Sequence, residues 1–569
     1  MARIRKIEIS NFRGIQKLVW IPSPGISCLI GPGDSGKSTI LDAIDLCIGA
    51  RRNIQFTDAD FYRLNVETPI IIGVTIGELE DSLKSIDAYG LYLRGFNKTT
   101  GNVEDEPEAD LETVLTVQLT VSSDLEPVWT LVSDRAAAHD QARNLSWSDR
   151  VRIAPTRIGA MVDYNLSWRQ GSVLNRVSEE RADASAALAK AARDARAAFG
   201  DEAQGQLAET LDAVATVAKE LGIPVGDNVK ALLDVHSVSF SGGTISLHDE
   251  RGVPLRGLGI GSARLLVAGL QRKAAVQSTV ILVDELEYGL EPHRIIRLLD
   301  SLGAKEKNPP LQVFMTTHSP VALRELSGDQ LFVVRGLDVR HEVRLVGTEN
   351  SIQGTIRLYP DAFLAQSVVV CEGASEVGLM RGLDQHRVKN DKPSIAARGV
   401  GLVDGAGTPL FNRAIALQSL GYRAAVLRDD DAHPTPELEK TFEDGGGRVI
   451  AWRTGRALED ELFCSLTDEA VRALVALAVE LKGETTVNEH IKSASDGRFE
   501  LATCKGALTL EVRTVLGKAA KTKKSGWFKT VSAMEMAGRD IVGPDLEKSD
   551  AGFRAVIDTV FSWMEKAGE

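Results

Sequence analysis

A glycine-rich loop between an apolar strand-like run and an apolar helix-like run constrains the fold of this chain most. Ile26 to Ile30 is apolar, Gly31 to Ser38 reads GPGDSGKS, and Thr39 to Ile48 has helical periodicity. The pattern G-x-x-x-x-G-K-S between a strand and a helix is typical of a phosphate-binding loop. The sequence therefore predicts an α/β domain built around a nucleotide site.

The residue types of this loop match what bound phosphates and their metal ion require. Glycines let backbone N–H groups turn inward, and the following helix directs its positive end at the phosphates. Lys37 is expected to neutralise the β- and γ-phosphates of ATP, and the Ser38 hydroxyl to ligate Mg²⁺. The predicted cofactor-binding residues of the loop are Gly31, Gly33, Ser35, Gly36, Lys37, Ser38 and Thr39.

Two later strand-like runs end in residues suited to ATP chemistry. Thr279 to Val283 is apolar, like a buried parallel strand, and precedes Asp284 and Glu285. Asp284 is expected to hold Mg²⁺ through water, and Glu285 to activate the attacking water. Leu311 to Thr317 predicts a further strand, with His318 at its tip to contact the γ-phosphate. Each feature alone is compatible with a strand that merely ends in polar residues, but their order favours a catalytic set.

A second glycine-rich turn precedes the Asp284 strand. It runs from Leu255 to Arg264, contains Gly261 and Ser262, and leads into an apolar helix at Leu265 to Leu270. The start of that helix is a second potential phosphate contact, and a plain loop-to-helix turn is the alternative.

The order of these motifs resembles the ABC-type ATPase head, in the branch shared by recombination and chromosome-maintenance proteins. Asn11 to Gly14 is similar to the amino-terminal signature of that branch, in which the arginine, here Arg13, approaches the nucleotide. The resemblance implies that Gln55 senses Mg²⁺ and that the turn Gly259 to Ser262, with Gly261 and Ser262 as site residues, completes the site of a second head, although this turn departs from the common serine-glycine-glycine order. It also implies that two heads sandwich ATP, so that the chain forms a homodimer or a higher homo-oligomer.

Composition shifts indicate the domain organisation. Residues 177–222 are alanine-rich and charged, and predict two helices, Ala182 to Phe199 and Glu202 to Leu221. This helical insertion either joins subunits or packs on its own ATPase core. Val235 to Leu247 predicts strands. The polar segment 347–360 is taken as a linker, which gives an ATPase domain at 1–346 and a second domain at 361–569.

Bulk composition excludes several classes of protein. A chain of 569 residues is too long for a single hydrophobic core, so we expect several domains. The net charge of −13, from 66 Lys+Arg and 79 Asp+Glu, excludes a uniformly basic surface for nucleic acid but not a local basic groove. The five cysteines show no C-x-x-C spacing, so neither a zinc site nor a disulfide scaffold is indicated. No apolar run approaches the ~20 residues of a membrane span, and no signal peptide is recognisable. We therefore expect a cytoplasmic protein with no membrane partner.

Acidic residues also follow strand-like runs in the second domain. One apolar run precedes Glu372, with Glu376 one helical turn further on, and another precedes Asp429 and Asp431. In an extended chain Asp429 and Asp431 face the same side. Hard divalent cations prefer such oxygens, and clustered carboxylates repel one another without a positive charge between them. The sequence therefore predicts a metal site, and solvated loop acids are the alternative.

The motifs Glu372-Gly373-x-x-Glu376 and Asp429-x-Asp431, with Gly405-x-Gly407 between them, resemble the Toprim fold, a Rossmann-like α/β fold of topoisomerases, primases and certain nucleases. An ABC head followed by Toprim resembles the OLD (overcoming lysogenization defect) family of ATP-dependent nucleases, whose relatives include Gabija-type phage-defence subunits. The resemblance covers nearly the whole chain. It implies an ATPase and Mg²⁺- or Mn²⁺-dependent DNA endonuclease, with one metal ion beside ATP and two in the nuclease site. The implied ligands of those two ions are Glu372, Glu376, Asp404, Asp429, Asp431 and Glu459.

The same family uses a late lysine near the scissile phosphate. This chain offers a basic stretch from Lys518 to Lys529 that contains Trp527 and Phe528. Basic residues with aromatics suit contact with a phosphate backbone, and a solvated basic loop is the alternative. Lys524 is the first choice for the catalytic lysine and Lys529 the second.

These expectations make DNA the partner, and anti-phage defence or DNA repair the setting. No base-reading motif indicates a sequence preference. A companion defence protein, or a non-coding RNA or DNA element, would be a further partner. Two alternatives stay open: an ATP-sensing scaffold whose Toprim domain recruits or gates a partner effector, and a DNA-repair ABC ATPase that loads onto DNA. The intact acidic set favours the nuclease over both.

Overall fold

The chain forms two compact units. Unit 1 comprises Met1–Arg13, Trp20–Ser27 and Ser38–Thr317, and unit 2 comprises Gly14–Val19, Cys28–Lys37 and His318–Glu569. Of the strands predicted for Val235 to Leu247, all residues but Leu247 lie outside the described part of the chain. The computed structural model describes residues 2–50, 54–158, 166, 184–220, 231, 247–273, 279–337, 339–407, 409–433, 435–522 and 525–566.

Strands dominate residues 3–131, and helices dominate the chain after residue 350. None of the described helices is long and apolar enough to cross a membrane. The strands are β1 (Arg3–Phe12), β2 (Ile15–Trp20), β3 (Ile26–Ile30), β4 (Ile70–Gly77), β5 (Arg94–Phe96), β6 (Val103–Glu104), β7 (Glu112–Val121), β8 (Pro127–Leu131), β9 (Thr156–Ile158), β10 (Val280–Val283), β11 (Gln312–Thr316), β12 (Leu331–Gly336), β13 (His341–Leu345), β14 (Ser367–Cys371), β15 (Val400–Asp404), β16 (Arg423–Arg428) and β17 (Arg448–Ala451). The α-helices are Lys37–Ile48, Ile86–Tyr89, Asp134–Ala137, Trp147–Ile153, Ala184–Gln206, Ala208–Glu220, Ile260–Lys273, Pro292–Ser301, Pro320–Glu325, Asn350–Leu358, Ala374–Lys389, Leu410–Ser419, Pro436–Asp444, Leu458–Ser465, Asp468–Lys482, Glu484–Ala494, Leu501–Cys504, Leu510–Ala520, Val531–Ala537, Gly543–Asp545 and Ala551–Glu565.

Unit 1 contains an antiparallel sheet made of strands with alternating apolar residues. In β1 the side chains of Ile7 and Ile9 are buried, while Lys6 and Glu8 between and beside them are more exposed. This alternation is what a sheet with one covered face requires. β1 pairs with β4, β4 with β7, β7 with both β5 and β8, and β5 with β6, all antiparallel.

The strand that carries Asp284 and Glu285 is the middle one of three parallel strands in unit 1. β10 pairs in parallel with β9 and with β11, and all of its side chains are buried. A short, wholly apolar strand of this kind suits a parallel sheet covered on both faces. The Gln312 side chain joins β11 to β1, since it accepts from the Ile4 amide at 2.7 Å and donates to the Ile4 carbonyl at 2.9 Å. The sequence predicts β10 and β11 but offers no sign of β9.

Two helices occupy the predicted insertion, with different bounds. They are Ala184–Gln206 and Ala208–Glu220, so the break falls at Leu207 and not at residues 200–201. The prediction placed the break beside Gly200, which the first helix includes. A helical glycine costs only about 1 kcal/mol relative to alanine, and a helix-favouring neighbourhood outweighs that cost.

Unit 2 contains a four-stranded sheet in which every pairing is parallel. The strand order is β15-β14-β16-β17. The chain passes from β14 to β15 on one side, and then to β16 on the other side of β14. In doubly wound sheets, ligands bind beyond the carboxyl ends of the strands where the direction of winding changes, which here is between β14 and β16. Glu372 directly follows β14, and Asp429 directly follows β16.

Close helix packing fixes the segment that carries Glu376. The helix Ala374–Lys389 crosses the helix Val531–Ala537 at two glycines. A Cβ atom at Gly378 would lie 2.5 Å from the Val531 carbonyl oxygen, and one at Gly382 would collide with the Glu535 carbonyl. Because both obstacles are backbone atoms, any larger residue would push the two helices apart.

The segment 347–360, predicted as a linker, contains the helix Asn350–Leu358. Ile352 and Ile356 of this helix are buried, at 4% and 1% exposure. Because Gly347 and Gly354 give the segment a turn-like composition, the sequence does not reveal the apolar face that Ile352 and Ile356 form on this helix. The segment is therefore a packed element of unit 2.

Candidate functional sites

The glycine-rich loop forms the turn that the sequence predicts, between β3 and the helix Lys37–Ile48. Gly31 and Gly36 have φ angles of +129° and +87°, which side chains with a Cβ rarely adopt. A Cβ at Gly31 would also lie 2.8 Å from the Val334 carbonyl oxygen. Lys37 Nζ is buried and donates to the carbonyls of Gly31 and Pro32 at 3.1 and 2.6 Å. These two bonds hold the Lys37 side chain against the backbone of its own loop.

Ser38 and Asp284 meet as expected of a shared magnesium site. Ser38 Oγ donates to Asp284 Oδ1 at 2.9 Å, and Thr316 Oγ1 donates to the same oxygen at 2.6 Å. Hydroxyl and carboxylate oxygens suit Mg²⁺, which binds nucleotide sites through one or two carboxylates and phosphates. The donor set of Ser38 and Asp284 therefore fits this ion.

Glu285 is exposed and has a φ angle of +47°, which is uncommon for a residue with a side chain. Its backbone N–H donates to Thr316 Oγ1 at 2.8 Å. Backbone strain of this kind concentrates at functional sites, where surrounding contacts hold it in place. The role of Glu285 as the residue that activates water stays a prediction.

Arg157, which the sequence analysis missed, lies at the centre of the carboxylates around Asp284. Its guanidinium contacts Asp42 at 2.6 Å, Asp284 at 3.3 Å and Asp45 at 3.6 Å. Burial alone would lower the pKa of Arg157, but hydrogen bonding to Asp42 and the charges of all three carboxylates raise it. A single arginine on a three-residue strand has no periodic pattern that would mark it.

Arg13 approaches the same helix from the other side. It has a φ angle of +47°, and its side chain contacts Asp42 at 2.5 Å and Asp60 at 2.9 Å. Burial lowers the pKa of Arg13, but its bonds to Asp60 and Asp42 outweigh that effect and raise it overall. The predicted approach of Arg13 to the nucleotide stays a prediction.

The second glycine-rich turn is part of a helix rather than a loop before one. The helix Ile260–Lys273 starts five residues earlier than predicted, so Gly261 and Ser262 lie in its first turn. Ser262 Oγ accepts from Arg294 at 3.1 Å. Arg264, fully buried and also missed, donates to the backbone carbonyls of Glu285 and Tyr288 at 3.1 and 2.6 Å. Through Arg264 this helix holds the turn that follows β10.

Gln55 and His318 are both exposed. Gln55 lies in a loop, and His318 directly follows Thr317 after β11. Their predicted contacts with Mg²⁺ and the γ-phosphate stay predictions.

Four carboxylates of unit 2 meet at the winding change between β14 and β16. Glu376 and Glu459 are buried, at 4% and 2% exposure, and Glu372 and Asp429 are partly buried. Glu372 Oε2 accepts from the Asp429 amide at 2.7 Å, and Asp429 Oδ1 accepts from the Leu458 amide at 2.9 Å. The loop ends of β14 and β16 and the helix Leu458–Ser465 therefore build one acidic site, which we call the carboxylate cluster.

Burial and mutual repulsion raise the pKa values of three carboxyls in this cluster. For Glu376 the main cause is burial, followed by the charges of Asp429 and Glu459. The pKa of Asp429 is raised by burial and then by Glu372 and Glu459. Burial also raises the pKa of Glu372, against the lowering effect of its bond from the Asp429 amide. A cation at this point would remove the repulsion.

The residue types of the carboxylate cluster suit a metal ion, but their side chains are not arranged around one. Among the residues that the structure describes, no three His, Cys, Asp or Glu side chains are arranged to hold a metal ion. The carboxylates instead turn to backbone N–H groups, and Glu376 Oε2 caps its own helix through the Gly373 amide at 2.9 Å. Glu459 Oε1 is buried without a hydrogen bond. The four carboxylates are close enough to repel one another, but their oxygen atoms do not converge on one point, so cation binding would require the side chains to turn.

Asp404 and Asp431 lie at the margins of this cluster. Asp431 is exposed, with Lys521 Nζ at 3.7 Å, and its charge acts on Glu372 and Asp429. Asp404 ends β15 and accepts from the Ala406 amide at 2.7 Å. Asp430 pairs with Arg428 at 3.1 Å and accepts from the Gly455 amide at 3.0 Å.

The basic stretch places two lysines beside acidic residues of unit 2, whereas its aromatic rings are buried. Lys529 Nζ lies 3.4 Å from Glu459, and Lys521 Nζ lies 2.6 Å from Asp460. Lys524, the first choice, lies outside the described residues. Trp527 and Phe528 have no exposed surface, so the expectation that they accompany the lysines at a phosphate backbone is wrong. Both rings belong to the hydrophobic core of unit 2.

The glycine-rich loop and the order of the motifs that follow it along the chain are those of a P-loop ATPase. The chain belongs to the family described as "AAA domain, putative AbiEii toxin, Type IV TA system", whose sequence profile matches residues 26–324. The predicted ATPase is thereby confirmed at the level of the family. The OLD resemblance, the Toprim domain and the nuclease stay predictions.

Similar proteins include two curated relatives, both named DNA replication and repair protein RecF. The protein from Chlorobium luteolum (strain DSM 273 / BCRC 81028 / 2530) is 31% identical over 88 residues, which are 16% of this chain and 24% of that protein. The protein from Prosthecochloris aestuarii (strain DSM 271 / SK 413) is 36% identical over 66 residues, or 12% of this chain and 18% of that protein. The chain thus spans a quarter or less of the length of these relatives.

A solved structure, the SMC head domain from Thermotoga maritima, is 15% identical, with 61% of this chain and 99% of that chain covered and a TM-score of 0.29. Because this score is low, the class of the protein rests on the family profile and on the motifs.

Proposed function

We propose that this protein is an ATP-regulated, metal-dependent DNA endonuclease with an ABC-type ATPase head and a Toprim nuclease domain. The observation that carries the proposal is the carboxylate cluster. Glu372 and Asp429 follow two parallel strands at the winding change of a doubly wound sheet, where ligands bind, and burial and the neighbouring carboxylates raise the pKa of Glu376 beside them. The motif order of the amino-terminal part supports the ABC-type head.

The cluster has the residues that phosphodiester cleavage requires. Glu372, Glu376, Asp429 and Asp431 would hold two Mg²⁺ or Mn²⁺ ions, with Asp404 and Glu459 as further ligands. Such ions activate a water and stabilise the leaving oxygen. Lys529, in contact with Glu459, is positioned to exchange that carboxylate for a DNA phosphate. Glu459, released from that ion pair, would then become a metal ligand.

The ATPase site would control the nuclease. Lys37 and the loop N–H groups would bind the phosphates, Ser38 and Asp284 would hold Mg²⁺, and Glu285 would position the attacking water. Gly261 and Ser262 would complete the site of a second copy, which makes the active form a homodimer or a higher homo-oligomer. The OLD resemblance extends the proposal to anti-phage defence, with a companion protein or a nucleic-acid element as trigger.

The test is incubation of the purified chain with supercoiled DNA and Mg²⁺ or Mn²⁺, with and without ATP. Nicked or linear DNA is expected from the wild type, and intact DNA from the double variant Asp429→Ala/Asp431→Ala. The exposed Asp444 serves as the matched control, and Asp444→Ala should cut like the wild type. Cleavage by the double variant at the wild-type rate would refute the nuclease.

A second candidate function is an ATP-sensing scaffold or DNA-repair ATPase whose second domain gates a partner. The contacts of the carboxylates favour it, because Glu376 and Glu372 accept from backbone N–H groups and Lys529 lies 3.4 Å from Glu459. The local identity to RecF supports the repair variant of this candidate. DNA that stays intact under all metal and nucleotide conditions, together with ATP hydrolysis, would favour it over the nuclease.

A further inference from the structure

One face of the helix Lys37–Ile48 carries an unusual amount of negative charge. Ser38, Asp42 and Asp45 are spaced by four and three residues, so they share one side of the helix. This side faces Asp284, to which Ser38 donates at 2.9 Å. Asp42 and Asp45 therefore lie on the same side of the helix as the hydroxyl that would ligate Mg²⁺, and carboxylates held close together repel one another unless a cation lies among them.

Arg157 is that cation in the structure. It contacts Asp42, Asp45 and Asp284 at 2.6, 3.6 and 3.3 Å. Arg13 contacts Asp42 from the other side but pairs with Asp60 and not with Asp284. Asp284 accepts three hydrogen bonds, two at Oδ1 from hydroxyls and one at Oδ2 from Arg157. A divalent cation that bound Oδ2 would compete with Arg157 for that oxygen.

A guanidinium keeps its charge at every physiological pH, so the counter-charge supplied by Arg157 is permanent. Its planar fork can also contact two carboxylates at once, which a bare ammonium does less well. The nucleotide changes this balance, since its phosphates add negative charge and provide oxygen ligands of their own for the metal.

We propose that Arg157 is a built-in counter-cation that makes entry of a divalent cation at Ser38 and Asp284 depend on bound nucleotide. This inference rests on the proposed ATP site and assigns a regulatory positioning role to a residue outside the recognised motifs. Without Arg157, Asp42, Asp45 and Asp284 would form a cation site of their own, occupied whether or not ATP is present.

The test counts Mn²⁺ ions bound per chain by electron paramagnetic resonance in the absence of nucleotide. Arg157→Gln is expected to bind one ion more than the wild type, and Arg157→Lys the same number as the wild type. The extra ion should disappear in Arg157→Gln/Asp284→Asn. Arg152 provides the matched control, since it lies on the same segment with a half-exposed side chain that contacts Ser82 and Asp149. Arg152→Gln should match the wild type.

Two results would overturn the inference: an unchanged ion count in Arg157→Gln, or an extra ion that persists when Asp284 is replaced. Circular dichroism verifies that Arg157→Gln is folded. If Arg157→Gln is not folded, the double variant Arg157→Gln/Asp42→Asn replaces it, because it removes one negative charge together with the positive one. Asp284 still lacks its counter-cation in the double variant, so the same two results would overturn the inference.

Failure of the inference and failure of the proposed ATP site are distinguishable. Binding of a fluorescent ATP analogue with Mg²⁺ to the wild type tests the site itself. No binding would refute the ATP site whatever the Mn²⁺ counts are. Binding by the wild type, combined with an unchanged Mn²⁺ count in Arg157→Gln, would refute the role of Arg157 alone.

Discussion

Glu372 Oε2 accepts a hydrogen bond of 2.7 Å from the backbone N–H of Asp429, which joins the ends of β14 and β16. The pairing of these strands aligns Cys371 with Leu427, so the residues after them leave the sheet side by side. The bond therefore connects the backbone of Asp429 to the side chain of Glu372. It brings two acids that lie far apart in sequence to the same edge of the sheet.

Replacement of Asp429 by asparagine should weaken metal binding at the carboxylate cluster. The variant keeps the shape of the side chain and the acceptor for the Leu458 amide, but it removes one negative charge from the site. Added Mn²⁺ should raise the melting temperature of the wild type through preferential binding to the folded state. In Asp429→Asn most of that rise should be lost. An equal rise in both proteins would exclude Asp429 as a ligand, and Asp444→Asn is the control.

The stability of the metal-free protein should fall as pH rises through the range in which the cluster ionises. The pKa values of Glu372, Glu376 and Asp429 are raised in the folded chain, chiefly by burial. The folded state therefore binds more protons than the unfolded state, whose carboxyls have pKa values of about 4. Stability from these groups is complete below that pH and is lost as pH rises through the folded pKa values.

Thermal melting in EDTA, at pH values from about 5 to about 9, measures this dependence of stability on pH. Glu376→Gln should flatten the curve because it removes the most deeply buried of the ionising groups. The exposed Glu547 provides the control, since Glu547→Gln should leave the slope unchanged. Mn²⁺ should also flatten the wild-type curve. A wild-type slope that neither Glu376→Gln nor Mn²⁺ alters would mean that the cluster is not its source.

The amino-terminal site was largely predictable because much of its chemistry is local in sequence. Glycine at a positive φ angle, lysine and serine occupy consecutive positions, so their spacing alone identifies the loop from Gly31 to Ser38. Asp284 was recognisable because an apolar strand directly precedes it. Arg157 was not, because its significance arises only when β9 pairs with β10 and brings the arginine to Asp284.

The second site was predictable in its residue types but not in its geometry. The apolar runs before Glu372 and Asp429 indicate parallel strands, and the structure has them as β14 and β16. The sequence could not reveal that each carboxylate turns to a backbone N–H, since that depends on rotamers chosen after packing. Trp527 and Phe528 were misjudged for a related reason: aromatic residues beside lysines suit both a nucleic-acid surface and a core, and only tertiary packing decides between them.

Lys37→Ala should abolish ATP binding without abolishing metal-dependent DNA cleavage measured in the absence of ATP. Lys37 Nζ bonds to the carbonyls of its own loop and supplies the positive charge nearest to the expected phosphates. Loss of a single well-placed charge of this kind lowers rates by about 100-fold or more. ATP hydrolysis and DNA nicking, measured on the same preparation, separate the two activities. Lys17→Ala, at an exposed lysine of β2, is the control. Loss of both activities together would contradict a nuclease that can cut independently of the ATP site.

Glu285→Gln should retain ATP while slowing its hydrolysis. The side chain is exposed beside Asp284, and the backbone bond from Glu285 to Thr316 does not involve its carboxylate. The substitution should therefore leave the fold and nucleotide affinity unchanged, while loss of the general base lowers the turnover number by about 100-fold. Nucleotide affinity and steady-state turnover are measured in parallel. Wild-type turnover in this variant would remove Glu285 from the reaction.

The variants Lys529→Ala and Trp527→Ala should separate DNA contact from folding within the basic stretch. Lys529 is exposed and contacts Glu459 at 3.4 Å, so its removal should weaken DNA binding and change the melting temperature little. Trp527 is fully buried and donates from Nε1 to His490 at 3.2 Å. Its truncation should cost about 3 to 5 kcal/mol of stability, as for other buried aromatic residues.

DNA affinity at two salt concentrations and thermal melting decide between these roles. For Lys529→Ala the affinity for DNA should fall and its dependence on salt should weaken, because one phosphate contact is lost. Trp527→Phe keeps an aromatic ring in the core and should recover much of the stability lost in Trp527→Ala, with DNA affinity close to that of the wild type. If Trp527→Phe instead binds DNA as weakly as Lys529→Ala while melting like the wild type, the ring contacts DNA after all, and its burial in the core does not describe the DNA-bound protein.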